Sequence, residues 1–185
     1  ELFQHTPALV HKPAKRFVWR LLERIGIWNA DVVATVNRSV ADALQRLYGL
    51  RHCGVVRSTP WRLSPQSPSG ELRRLCGIAP EDPVLIYQGA LEPGRGIEFV
   101  CDALSNSPQV QFVILGKGEL ESWIRTRSQR QANVHYGGAH SFARLMELAV
   151  DADVGLVWIE PVAESYRLSL PGKLFEYIHN GLPVL

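Results

Sequence analysis

LSLPGKLFEYIHNGLPVL, residues 168–185, reads as a turn, a short amphipathic helix and a strand. Pro171 suits a first helical turn, where its missing N–H costs nothing, and Gly181 suits the left-handed position that ends a helix. Between Pro171 and Gly181 a helix, with its core over 174–179, is therefore about two to three turns long, with Glu176 roughly one turn in. Free N–H groups at its start attract an anion, and a carboxylate one turn along accepts hydrogen bonds from adjacent hydroxyl groups. Leu182 to Leu185 follows as an apolar run of buried-strand type.

Upstream, the same alternation repeats. Strands are predicted over 84–88, 110–115, 133–136 and 154–158, and helices over 71–76, 96–104, 120–127 and 142–149. Strands this apolar, separated by helices, imply a Rossmann-like parallel sheet covered on both faces, with ligands beyond the strand C-termini. The fold class is α/β. Nearer the start, Phe17, Val18, Leu21, Leu22, Ile25 and Trp28 recur at helical spacing among Lys15, Arg16, Arg20, Glu23 and Arg24. A strand over 31–36, a helix capped by Asn37 or Ser39 and stopped at Tyr48-Gly49, and a strand over 53–57 complete a first unit. Between Ser58 and Gly70 stand Pro60, Pro65 and Pro68, which mark a connection. The expected division is a first unit to residue 58, a connection and short helix over 59–77, and a second unit over 78–185.

Composition narrows the classes of function. The 185 residues are 46% hydrophobic, enough for a core, and 20 Lys and Arg against 18 Asp and Glu leave a net charge of +2. That balance cannot hold nucleic acid through the whole-protein field, so an anionic partner must be met locally. Cys53, Cys76 and Cys101 are far apart and form no Cys-x-x-Cys pair, which argues for a reducing compartment and against a disulfide framework or zinc knuckle. No apolar run approaches the roughly 20 residues of a membrane span. The chain opens on Glu-Leu-Phe and closes on a strand pattern, and is expected to be a piece of a longer chain, truncated at both ends.

GALEPGRG, residues 89–96, joins the first strand of the second unit to a helix. The Gly89–Gly94 spacing mimics a nucleoside-triphosphate loop, but Arg95 and Gly96 stand where that loop needs Lys and a hydroxyl residue. Gly94 and Gly96 begin a dinucleotide fingerprint whose third glycine would fall on Phe99, so that pattern fails too. What remains is a glycine turn that aims the Arg95 guanidinium at the strand ends, or simply a tight turn with a surface arginine. Gly116-Lys117-Gly118 and His135-Tyr136-Gly137-Gly138 end the next two strands as further close-approach turns. His135 has no second ligand at a usable spacing, and no metal is expected.

YQGALEPGRGIE, VILGKGEL, ADVGL (152–156) and SLPGKLFEYIHNGLPVL together resemble the retaining GT-B-fold glycosyltransferases of family 4, also called glycosyl transferases group 1. TVNRSVADALQRLYG (35–49) resembles the closing part of that family's acceptor domain. The resemblance implies a GT-B type fold with a partial first domain: a remnant of the acceptor-side domain to residue 58 and a donor-binding domain over 78–185, incomplete at its C-terminus. It also implies transfer of a sugar, with retention, from a nucleotide-sugar to a polysaccharide or lipid-linked acceptor, without a metal or other cofactor. Arg95 and Lys173 would bind the donor pyrophosphate and stabilise the leaving charge, and Glu176 would hold the ribose. Gly94, Gly96, Gly118, Tyr136, Gly137 and Leu170 would complete the donor site, with backbone groups over 136–139 against the base.

The chain departs from the family pattern at three places. Leu168 stands where a first glutamate is usual, with Glu160 and Glu164 nearby; Gly172 stands where a related subset has Asn; Arg95 stands where Lys is usual. The acceptor-side catalytic region would lie mostly before Glu1, so the 185-residue chain is expected to bind donor weakly and to transfer nothing. A sugar-nucleotide epimerase of the same fold and a non-catalytic nucleotide-sugar binding module are the alternatives. The charge balance and the cysteines lead to the expectation of a cytoplasmic protein without nucleic-acid partners. The basic helix over 15–28 either touches the inner face of an anionic membrane or packs into a core, and the sequence leaves both open.

Overall fold

A computed structural model describes residues 13–59 and 67–185. The Glu1-Leu2-Phe3 segment and residues 60–66 of the proline-rich connection lie outside the described residues. Two compact units separate: residues 13–59 with Ile159–Leu170, and residues 67–158 with Pro171–Leu185.

The first unit runs α1 (Pro13–Trp28), β1 (Ala34–Thr35), α2 (Arg38–Tyr48) and β2 (Gly54–Val55). Asn37 caps α2 by accepting the Val40 N–H at 2.8 Å, and its amide donates to the Leu168 carbonyl at 2.8 Å. One side chain thus starts the helix and holds the 159–170 segment to this unit. Gly49 ends α2 at φ 66°, as a left-handed C-cap. The strands expected over 31–36 and 53–57 form only two pairs, Ala34 with Gly54 and Thr35 with Val55. A ladder with no third strand beside it among the described residues has little to extend on. The apolar stripe of α1 stays open, with no described residue of that helix buried and Phe17 and Trp28 69% and 67% exposed. Among the described residues no helix is long and apolar enough to cross a membrane.

The second unit contains α3 (Glu71–Cys76), β3 (Val84–Ala90), α4 (Ile97–Ala103), β4 (Gln111–Lys117), α5 (Glu121–Arg130), β5 (Val134–Gly138), α6 (Phe142–Ala149) and β6 (Val154–Gly155). A short helix α7 (Glu164–Arg167), which the sequence reading did not anticipate, lies in the segment grouped with the first unit; α8 (Gly172–His179) returns to the second. The four strands are parallel in the order β5-β4-β3-β6. Side chains alternate across this sheet. Leu85, Tyr87, Phe112 and Ile114 pack with Ile97, Cys101 and Ile124 on one face, and Val84, Ile86, Val113 and Leu115 with Leu72, Leu148 and Tyr177 on the other. Burial on both faces is why the strands read as continuous apolar runs.

One polar device fixes the start of α3. Asp151 accepts the N–H groups of Ser69 at 2.7 Å, Gly70 at 2.8 Å and Leu72 at 3.0 Å, so a residue far along the chain caps α3. Burial alone would raise its carboxyl, but the donors of Leu72, Gly70 and Ser69 together hold it below the usual range. At the β6 edge, the strand expected over 154–158 narrows to Val154–Gly155, and residues 182–185 meet it by a single bridge, Gly155 with Val184. Gly155 has a further task. A Cβ there would sit 2.4 Å from the buried Tyr177 ring. Gly155→Ala is therefore expected to destabilise the second unit by about 1–3 kcal/mol through overpacking, read as a lower urea midpoint with an unchanged slope.

Candidate functional site

The sheet order places a switch point at the C-terminal end of β3, because the chain leaves β3 toward β4 and β5 and then returns to its other side as β6. Glycine loops and α8 converge there. The β3–β6 ladder ends where Leu156 N–H donates to Ile86 O at 2.8 Å, which leaves the next inward-facing donor of β3, the Gln88 N–H, without a strand partner. The Tyr177 hydroxyl supplies one: it accepts from Gln88 N at 3.1 Å and donates to Ile86 O at 3.2 Å. Tyr177 is fully buried, and burial pushes its phenol well above the ordinary range.

This anchor orients α8. Lys173, Glu176 and Tyr177 stand at i, i+3 and i+4, neighbours on one helical face. The helix begins after Pro171 with no side-chain cap on its first N–H groups, and it ends in a Schellman turn, Leu182 N to Tyr177 O at 2.9 Å and Gly181 N to Ile178 O at 3.0 Å. Lys173 Nζ lies 3.7 Å from the centroid of the Tyr87 ring, and its end passes 3.4–3.5 Å from the point where a Gly89 side chain would start. Glu176 Oε2 accepts from Gln88 Nε2 at 2.6 Å. Arg95 pairs with Glu92 at 3.2 Å.

The electrostatics of Lys173 are unusual. Burial first, then the nearby Arg95 guanidinium, outweigh the Glu176 and Glu92 carboxylates and push its ammonium down to about 7. Two cations thus stand near enough at the strand ends for one to weaken the charge of the other. Such a pair favours an incoming polyanion, whose charge offsets both the repulsion and the cost of charging the lysine.

The remaining residues expected at the site are spread over several turns. Gly94 and Gly96 adopt left-handed conformations at φ 79° and 74°, and a Cβ on Gly96 would strike Trp158 at 2.4 Å. Trp158 in turn stacks on Phe99, centroids 5.2 Å apart. Gly118 is packed by the backbone of Leu91, whose carbonyl lies 2.4 Å from where its Cβ would stand. Tyr136 and Gly137 end β5, where the register slips between Ile114 and Leu115; Gly137 has no room for a side chain against Leu115, and the Tyr136 hydroxyl donates to Gly116 O at 2.9 Å. Leu170 belongs with the first unit. His135 bonds Gln111 at 2.8 Å and His140 bonds Gly137 O at 2.8 Å, while Ser141 caps α6. Two open clefts, 420 Å³ along α1 and 530 Å³ along α5, lie away from this cluster.

Sequence reasoning missed Gln88, Tyr177 and Trp158. For Gln88 a signal existed: a lone amide side chain at the end of VLIYQG, directly before the glycine turn. For Tyr177 and Trp158 there was none, since aromatic residues beside an apolar stripe read as ordinary core.

No protein-family model and no curated protein matches the sequence. Solved structures do. Sucrose-phosphate synthase from Thermosynechococcus elongatus superposes with a TM-score of 0.68 at 18% identity, over 95% of this chain and 45% of its own. Anabaena HepE in complex with UDP and glucose gives 0.62 at 21%, over 84% and 44%. A variant of S. aureus TarM, in complex with fondaparinux, α-GlcNAc-glycerol and UDP, gives 0.63 at 11%, over 83% and 29%. The likeness shows the fold, the GT-B type of glycosyltransferases, α/β with parallel sheets covered by helices. The chain spans less than half the length of each of these structures.

A pyrophosphate titration checks the cation pair. Anion binding raises the Lys173 pKa, so the complex takes up a proton and affinity falls as pH rises from about 7 toward the pKa of the complex. Calorimetry at pH 6 and 8 is expected to show tighter binding at pH 6, and Lys173→Met is expected to flatten that dependence.

Proposed function

We propose that the chain carries the donor-binding part of a retaining, family 4-type glycosyltransferase that moves a sugar from a nucleotide-sugar to a saccharide or lipid-linked acceptor. The observation that carries this reading is the convergence of Lys173, Arg95 and Glu176 at the end of β3, at the switch point of a GT-B-type sheet. In this reaction the bond from the sugar's anomeric carbon to the donor phosphate oxygen breaks, and its electron pair stays on the nucleoside diphosphate. The acceptor hydroxyl forms the new bond on the same face of the sugar and loses its proton.

The barrier is therefore largely the charge developing on the departing diphosphate. Arg95 and Lys173, held before the reaction starts, neutralise that charge without a metal, and a preorganised group of this kind is worth roughly 10²–10³ in rate. Gly94 and Gly96 bring the backbone near the phosphates; Glu176 holds the ribose hydroxyls; the turn from Tyr136 through Gly137 and the Gly118 turn border the base and sugar. Leu170 leads into the Pro171 turn. HepE and TarM were each solved with UDP, which makes uridine diphosphate sugars the first donors to try.

Calorimetric titration of the 185-residue chain with uridine, guanosine and adenosine diphosphosugars tests the assignment. One base is expected to bind, EDTA is expected to leave the heat unchanged, and Arg95→Ala, Lys173→Ala or Glu176→Ala each to weaken binding about tenfold or more. Identical heats for the wild type and an Arg95→Ala, Glu176→Ala double variant would overturn the reading. Epimerised sugar from donor incubated alone would instead assign the chain to an epimerase of this fold, and donor binding without transfer in the longer parent would make it a binding module.

Peripheral contact with an anionic, cytoplasmic membrane face through α1 belongs to the same reading. Its exposed Phe17, Leu21 and Trp28 and its Lys15, Arg16, Arg20 and Arg24 have the makeup of an interfacial helix. Neutralising Arg16, Arg20 and Arg24 is expected to lower co-sedimentation with phosphatidylserine vesicles by roughly a hundredfold in partition, at about 1 kcal/mol per charge.

A further inference from the structure

Gln88 is 1% exposed, a full amide buried at the last turn of a strand that is otherwise apolar. A glutamine there is costly unless it is bonded, and half of it is: Nε2 donates to Glu176 Oε2 at 2.6 Å. The carboxylate can only accept, so it fixes which end of the amide is nitrogen. The other end, Oε1, is buried with no hydrogen-bond partner among the described residues. The main chain of the same residue is held by the Tyr177 hydroxyl, from the position next to Glu176 on α8. Gln88 is thus pinned through its backbone to the helix whose carboxylate its side chain grips. Packing alone does not explain a residue that leaves one polar atom unsatisfied to reach a partly exposed carboxylate; orientation of that carboxylate does.

We infer that Gln88 is a positioning residue that locks one oxygen of Glu176, leaving the other oxygen aimed at paired hydroxyls of the bound ligand. The inference rests on the donor-site reading above and adds a determinant of selectivity for a ribose over a deoxyribose. A mobile carboxylate on an exposed helix face loses rotamer entropy on binding; one held by a buried amide has lost it already. Lys173 and Tyr177, on the same helix, are titratable groups that feel this carboxylate, and Arg95, Glu92 and Tyr87 surround Lys173.

The test compares uridine, guanosine and adenosine diphosphates with their 2′,3′-dideoxy counterparts, and with pyrophosphate, by calorimetry on the 185-residue chain. The wild type is expected to bind the ribonucleotide of its preferred base at least tenfold more tightly than the dideoxy form, the worth of a hydrogen bond to a charged group. Gln88→Leu, which removes the unsatisfied oxygen along with the donor and so should fold, is expected to shrink that ratio about fivefold while the pyrophosphate Kd stays within twofold. In a Glu176→Ala background the same change is expected to do nothing further. A ratio unchanged in Gln88→Leu, or an equal fall for pyrophosphate, would overturn the inference while leaving the donor site standing. A wild type that binds the two sugars equally would overturn both.

Discussion

The arrangement at the strand ends depends on one phenol. Where β6 turns away from β3, a buried N–H would be left without an acceptor, and the Tyr177 hydroxyl fills that role while donating to the carbonyl two residues earlier. A helix is thereby fastened to a sheet by a side chain that behaves as a missing strand residue, with the Gln88–Glu176 bond beside it. The ring can reach that point only because Gly155 leaves the space for it. With the helix pinned at one residue and its end closed by the Schellman turn, the positions of Lys173 and Glu176 follow from helical geometry.

Burial does a second thing here. A lysine laid on an aromatic face and against a glycine backbone is poorly hydrated, and the guanidinium nearby opposes its charge. The two cations are thus held near each other at an electrostatic cost. Under the donor-site reading, a diphosphate would supply the negative charge that the two cations lack.

The glycines of the three turns have a reason internal to the fold. Gly116 and Gly118 give way to the backbone of Gly89 and Leu91, Gly96 gives way to Trp158, and Gly137 gives way to Leu115. The loops interlock with one another across the sheet end. Their spacing matches neither the nucleoside-triphosphate nor the dinucleotide pattern, and close packing against neighbouring backbone and side chains accounts for the glycines.

Much of this was legible in the residues. The alternation of short apolar runs with amphipathic stretches determined a parallel, two-faced sheet, since only burial on both sides makes strands such as VLIY and FVIL read without alternation. Pro171 and Gly181 bounded α8, and the Lys-x-x-Glu spacing placed both charges on one face. Strand lengths were not legible at the edges, because residues 31–36, 154–158 and 182–185 carry strand propensity that only a neighbour can turn into a ladder. Nor was the grouping of 159–170 with the first unit, which Asn37 makes through a carbonyl 131 residues away. Gln88, Tyr177 and Asp151 acquired their roles only on folding. Each satisfies a polar group distant in sequence, and local pattern carries no record of which distant group that will be.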